Sequence, residues 1–479
     1  MKSRRFLFVL VVGVLFAGAL AAGRASSAPS TAGAHAQAGA NAAVLAESST
    51  VWFCPGLTPT LPHQFGRVTF SNIGTTSAQV IVTDLADKGS ATHVTVNVAP
   101  DTVVTRNRDS LGGPGALTVE TFGGRVLVEE GVEGAGAIDT APCATQTSAH
   151  WYFAAGSTPR GVQQWLVIDN PYPSDAKVDV TLRTSNGVMR PGALQSVDVA
   201  RRSRVVIPIH DVAVRESRVA VALDAQVGTV VAAQTLVYTT DAGTPGVALS
   251  IGAPAAATAW TFAGGVAPAR STALVAIVNV GDDAAQIDVQ ATVESSKQVI
   301  APTSLTLGQD DVVWVQLGHC ATAAGQPCVA VPEGATYSLD VRSEQDVAIV
   351  AQTLSRFDDA PDIVGTVTSP GEIAPARAWA FARMHVSGDR STTITLFNPG
   401  AGPALVRIGR VFDGLVSRPK ALQQVVVPPG RGTTVLVVGG AKPSNIDGAV
   451  VIDATEPVFV ERTIVANGEA AESVGVVLG

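Results

Sequence analysis

The sequence predicts an all-β protein: four tandem immunoglobulin- or fibronectin-like antiparallel β-sandwich domains behind an N-terminal signal or anchor segment. Three observations carry that expectation. One aromatic phrase recurs four times at domain-sized spacing, each copy is a string of short runs of period two, and the composition is rich in Val, Ala, Gly and Pro with only 15% charged residues. At 479 residues the chain exceeds one ordinary domain, and about 100 to 150 residues per domain makes three or four the starting expectation.

The N-terminus comes first. "MKSRR" supplies Lys2, Arg4 and Arg5, Phe6 to Ala22 is apolar throughout, and Ala19-Leu20-Ala21 matches a small-x-small cleavage site. Residues 1–22 are thus expected to be a signal peptide, or an uncleaved membrane anchor, since 17 apolar residues lie between a long signal core and a short span. Residues 23–50, rich in Ala, Ser and Gly without periodicity, read as a flexible spacer. Removing Lys2, Arg4 and Arg5 takes the formal charge from −8 to −11, and no Lys/Arg run remains, so nucleic acid has no electrostatic footprint to bind.

The repeats follow. "VWFCPG" at Trp52, "HWYFAAG" at Trp151, "AWTFAGG" at Trp260 and "AWAFARM" at Trp379 lead, 19 or 20 residues later, to Asn72, Asn170, Asn279 and Asn398. Spacings of 99, 109 and 119 residues far exceed those of a solenoid, so each copy should own a core. Within the second copy "QQWLVIDN", "AKVDVTLR", "QSVDVA", "SRVVIPI", "VAVALDA" and "TVVAAQTLVY" alternate or run apolar, with turn chemistry at Asn170-Pro171 and Ser185-Asn186-Gly187. Adding the Trp strand and a closing "GVALSIG" gives the seven or eight strands of a two-sheet sandwich. "GAGAIDTAP", "VGTVTSPG" and the terminal "VGVVLG" read as the other closing strands, which sets the expected domains at 51–143, 150–253, 259–370 and 378–479.

Four cysteines suit an oxidising compartment. Cys54 and Cys143 flank the first copy and Cys320 and Cys328 share one loop, so the pairing 54 with 143 and 320 with 328 is expected. No pair has the C-x2-4-C spacing of a zinc site. No metal or cofactor is expected.

Candidate functional residues are few. The repeated Trp, Phe and Asn read as core and turn residues rather than ligand platforms. In the strand ending at Asn170, Leu166 and Ile168 match Val68 and Phe70, Val275 and Ile277, Ile394 and Leu396 as core positions, which turns Trp165 outward; Trp314, aligned with Val206, Thr434 and Thr105, also faces outward. Trp165 and Trp314 are therefore the candidate contact surface, for a glycan, a partner protein or the adjacent domain. A long polar residue recurs in the penultimate strand, Glu130, Gln234, Gln352 and Arg462, a pattern suited to satisfying backbone groups at a sheet edge or domain junction. No G-x-S-x-G, H-E-x-x-H, P-loop or G-x-G-x-x-G occurs, the seven His form no column, and Asp282-Asp283 and Asp358-Asp359 lie in turns that do not recur. No catalytic constellation is visible.

"WFCPG", the "APC" before the second Trp strand and the repeated N-P-x or N-x-G turns resemble an actinobacterial family of secreted proteins of unknown function. The resemblance would span residues 50–479 and implies a secreted or envelope-associated β-rich protein, with no catalytic residues to carry over; only the first copy has the flanking Cys pair. The expectation is an extracytoplasmic interaction or scaffold protein whose partner is an envelope protein or polysaccharide. The membrane is touched only through an uncleaved N-terminal segment.

Overall fold

The computed structural model describes residues 42–43 and 49–478, apart from 59–63, 86–91, 135–136, 268–270, 295–299, 321–324, 359–363, 388–389, 439–445 and 467. The expected export segment 1–22 and nearly all of the 23–50 spacer lie outside the described residues. The fold is nearly all β, built from several antiparallel sheets. All the described residues fall in one compact unit.

The first copy shows the plan. Its strands are β1 (Ser49–Cys54), β2 (Gln64–Asn72), β3 (Ala78–Leu85), β4 (Thr92–Val98), β5 (Thr102–Asn107), β6 (Ala116–Phe122), β7 (Val126–Gly134) and β8 (Ala137–Pro142). They pair antiparallel in two sheets, β1-β6-β3-β4 and β5-β2-β7-β8. The second and third copies repeat that order, with Val162–Asn170 and Ser271–Asn279 in the place of β2 and Val231–Tyr238 and Ile349–Phe357 in the place of β7. In the fourth copy the counterparts of β6 and β7 run together as the single long strand Ile446–Ala466. Gly123, Gly124, Gly228 and Asp346, all at positive φ, stand where the other three copies turn.

Alternation puts one face of each sheet into a shared core. Trp151 and Phe153 from one sheet join Leu166 and Ile168 from the other, and the six positions aligned with Leu166 and Ile168 are all buried too. Each recurrent Asn is buried at a turn and holds it by its side chain: Asn398 donates Nδ2 to Gly402 and Val427 carbonyls at 2.8 and 3.0 Å and accepts from Gly400 N at 2.9 Å, and Asn72, Asn170 and Asn279 repeat the scheme. The four recurrent Trp are buried as well, and the Nε1 of Trp151, Trp260 and Trp379 donate to the carbonyls of Val230, Ile349 and Val458.

One sequence expectation needs correction. The closing strand of the fourth copy is Glu469–Val474, one strand earlier than "VGVVLG"; Val476–Leu478 instead crosses to the Trp strand, Val477 opposite Trp379. The first three copies make the same crossing with a single bridge at Ala144, Ala253 and Glu372. Ala42–Ala43, inside the spacer read as flexible, pairs parallel with Val477 and Leu478.

The copies close on themselves. The four closing strands, Ala137–Pro142, Gly246–Ile251, Gly365–Pro370 and Glu469–Val474, pack first on second, second on third, third on fourth and fourth on first. Each copy also covers the outer face of the next copy's β2-type sheet. Leu57 meets Trp165 and Val237, Ala154 and Ala155 join the third copy's core, Ala263 meets Phe397 and Phe459, and Ala380 and Ala382 join the core of the first. A head-to-tail contact that returns to its starting point makes a ring.

Candidate functional site

A polar device repeats at the junctions. On the β7-type strand the residues opposite Ala276, Thr395 and Thr69 are Gln352, Glu461 and Glu129. Each accepts a backbone N–H from the preceding copy, four or three residues after its Trp: Ala155 N to Gln352 Oε1 at 3.1 Å, Gly264 N to Glu461 Oε2 at 2.6 Å, and Ala382 N to Glu129 Oε1 at 2.8 Å. The first junction departs from this. Ala233 holds the acceptor position opposite Val167, and Arg204 instead donates to the Leu57 carbonyl at 2.9 Å.

The expected column Glu130, Gln234, Gln352 and Arg462 is therefore not one column. Glu130, Gln234 and Arg462 sit opposite Val68, Leu166 and Ile394 and point inward, whereas Gln352 sits opposite Ala276 and points to the neighbouring copy. In the third copy Gln352 stands three residues after Ile349, the residue paired with Asn279, whereas in the first Glu130 stands four after Val126, the residue paired with Asn72; a shift of one residue exchanges the faces of a strand. Sequence inspection missed Glu129 and Glu461 because each stands beside a residue of the column it did find.

The ring closes through buried charge. Arg462 Nη1 lies 3.0 Å from both carboxylate oxygens of Glu129, and both side chains are almost wholly excluded from solvent. Arg462 also donates to Ser473 Oγ, and Glu129 accepts from Thr140. Beside them Glu133 pairs with Arg383 at 2.8 Å and Arg390 at 3.1 Å from the fourth copy, and with Arg67 at 3.3 Å from the first. Burial pushes the Glu133 carboxyl up, but these three guanidiniums outweigh it and hold the group below its ordinary range.

At the axis all four closing strands line a cavity of about 30 Å³, among them Thr140, Ser250, Thr368, Glu372, Glu472 and Ser473. That volume holds a water or two and no organic ligand. Burial pushes Glu372 up to about 8 and Glu472 up to about 7, and raises Asp139 and Glu461 well above the ordinary carboxyl range. Asp139 accepts from Thr140 N and from Leu249 N of the second copy, clamping one closing strand to the next. No cluster of His, Cys, Asp and Glu among the described residues is arranged to hold a metal ion.

The two outward tryptophans have different surroundings. Trp165 is half-buried, covered by the first copy through Leu57, Val132 and Ala141, with its ring edge-on to His210 at 4.8 Å between centroids. Trp314 is also half-buried, yet it lines two adjoining cavities of about 390 and 400 Å³ at the junction of the second and third copies. Trp165 thus meets the adjacent copy, one of the contacts its outward facing allowed, and of the two tryptophans Trp314 borders open volume large enough for a ligand. Around Trp314 stand Val162, Leu274, Leu354, Tyr238, Ser157, Ser217, Arg160, Arg218, Arg356, Gln326 and Pro327. Gln326 and Pro327 belong to the loop closed by the Cys320–Cys328 disulfide, while Cys54–Cys143 ties the two ends of the first copy.

A family described as "Family of unknown function (DUF5719)" matches residues 128–362. No curated protein matches the sequence. Solved structures with likeness include Thermotoga maritima 1070, 21% identical over 24% of this chain and 93% of that one with a TM-score of 0.20. Another is the Anabaena sensory rhodopsin transducer, 23% identical over 20% of this chain and 93% of that one with a TM-score of 0.17.

Proposed function

We propose that this chain is a non-enzymatic extracytoplasmic interaction or scaffold protein: four immunoglobulin-like sandwiches, at 51–143, 150–253, 259–370 and 378–479, closed into a rigid ring. The observation that carries this reading is the return of the fourth copy onto the first through the same acceptor geometry that joins the second to the third and the third to the fourth. A ring braced on all sides gains little as a hinge or a closing lid, and it suits a platform whose faces meet partners in fixed geometry.

The proposed location is outside the cytoplasm, either released or held at the outer membrane face by residues 1–22. Two disulfides favour an oxidising compartment, and among the described residues no helix is long and apolar enough to cross a membrane. An enzyme acting on envelope polymers is disfavoured by the axial acids, whose cavity admits water and little else. Polysaccharide binding is the second reading, and the groove at Trp314 favours it.

The test is a cross-linking pull-down from intact cells with a C-terminal tag, identifying proteins and glycans together. One stoichiometric envelope protein supports the scaffold. Recovery of the tagged chain from the cytoplasm with its thiols reduced rejects the proposed location and the role with it.

A further inference from the structure

We infer that the groove at Trp314 is a binding site for an anionic glycan, a sugar polymer bearing carboxylate or phosphate groups; this deepens the second reading above and rests on the proposed extracytoplasmic location. The argument begins with shape. The two cavities share Trp314 and Ser217, so they adjoin and form one continuous groove. One of the two has an apolar lining from Val162, Leu274 and Leu354, and Trp314 lines both. An aromatic face over an apolar floor receives the C–H face of a pyranose ring, and hydroxyls of the ring then need polar partners at the rim. Ser157, Ser217, Thr272 and Gln326 supply them.

Charge decides the class of sugar. Three guanidiniums and no carboxylate line the groove, in a chain whose net charge is −8. Arg160 and Arg356 are paired with Asp241 at 3.3 Å and Asp358 at 2.7 Å, and Arg356 also lies over the Tyr238 ring at 4.5 Å. Arg218 has no hydrogen bond or ion pair among the described residues, although it is only partly exposed. An unpaired, partly desolvated guanidinium beside two neutralised ones leaves one net positive charge aimed at the groove, and its planar donors match a carboxylate or phosphate.

A peptide fits less well. The strand that carries Trp314, Val312–Gly318, is paired on one side with Ser271–Asn279 and on the other, from Gln316 to Gly318, with Cys328–Ala330. Cys328–Ala330 therefore occupies part of the edge that strand addition, the general means of holding an extended peptide, would need.

The experiment uses the full chain from the oxidising compartment and titrates it with oligogalacturonate, a phosphomannan, neutral dextran and poly-glutamate, reading affinity by calorimetry. Binding of either acidic glycan but not dextran, weakening with salt, is expected; the two acidic probes separate a carboxylate from a phosphate source. Arg218→Ala and Trp314→Phe should each weaken it by about tenfold with an unchanged melting curve, whereas Trp165→Phe should not. Equal affinity for dextran, poly-glutamate binding as tight as the glycans, or no binding by any probe would overturn the inference. If no probe binds while the full chain still captures a stoichiometric envelope protein from cells, the scaffold reading stands while the groove inference fails, so the two failures are distinguishable.

Discussion

The junction that closes the ring and the first junction in chain order solve one packing problem with different chemistry. Where the fourth copy meets the first, Glu129 accepts from Ala382 N and is paired with a wholly buried Arg462, and Glu133 gathers three arginines. Where the first meets the second, the acceptor position is Ala233, an apolar cluster with Trp165 fills the contact, and Arg204 donates to a carbonyl. The first pair of copies is held together by the chain itself, and the apolar cluster is joined there by the hydrogen bonds of Arg204 to the Leu57 carbonyl and of Leu249 N to Asp139. The closing pair is remote in sequence, Glu129 and Arg462 being 333 residues apart, and its docking must overcome the entropy of a long loop. Directional buried charge makes that contact specific, because a wrong surface would leave Glu129 or Arg462 without a partner.

The comparison can be broken most severely at Arg462. Arg462→Ala strands the Glu129 carboxylate in the interior and should destabilise the full chain by about 3–5 kcal/mol, read by urea unfolding, with hydrogen exchange rising first in Glu469–Val474 and β8. Arg204→Ala, the counterpart at the first junction, should cost about 1–3 kcal/mol and leave that exchange unchanged. Equal losses for the two variants would show that the two junctions do not differ.

Replacing Cys54 and Cys143 together by Ala should lower stability by about 2–5 kcal/mol, because this bridge spans 89 residues of the copy that receives the closing contact. The Cys320 and Cys328 pair spans only 8, and its replacement should cost less. Differential scanning calorimetry of the two double variants orders them, and the reverse order would reject the loop-entropy account.

The axial acids predict a pH dependence of defined sign. Glu372 and Glu472 are pushed up to about 8 and about 7 in the folded ring from an ordinary value of 4.5. The folded state therefore binds more protons than the unfolded one between about pH 4.5 and 8, and stability must fall as pH rises through that window, by at most about 1.4 kcal/mol per pH unit for each group. Glu372→Gln should flatten the fall in melting temperature; a slope unchanged by Glu372→Gln and Glu472→Gln would place its origin elsewhere. Gln352→Leu, which leaves Ala155 N–H without its acceptor at one junction, should cost about 1–3 kcal/mol by urea unfolding, as Arg204→Ala does.

Much of the individual copy was legible because local rules decide it. The core pairs at Leu166 and Ile168 and their aligned positions followed from period two, and the Asn turns from the habit of Asn side chains to bond their own backbone. The functional surface was less legible. Trp165 and Trp314 carry the same signal, an aromatic on the outer face of a strand, and differ only in what the neighbouring copy lays over them.

By itself, then, the sequence determined the repeat, the succession of strands along it, the buried faces and the spacing of the cysteines, because these depend on residues near one another or on a period that any strand must obey. Only the tertiary structure decided that the four copies form a ring, that Gln352 belongs with Glu461 and Glu129, and that one tryptophan is covered while the other borders a groove. Those outcomes depend on contacts between surfaces hundreds of residues apart, whose geometry is set by sheet twist and packing and leaves no periodic trace along the chain.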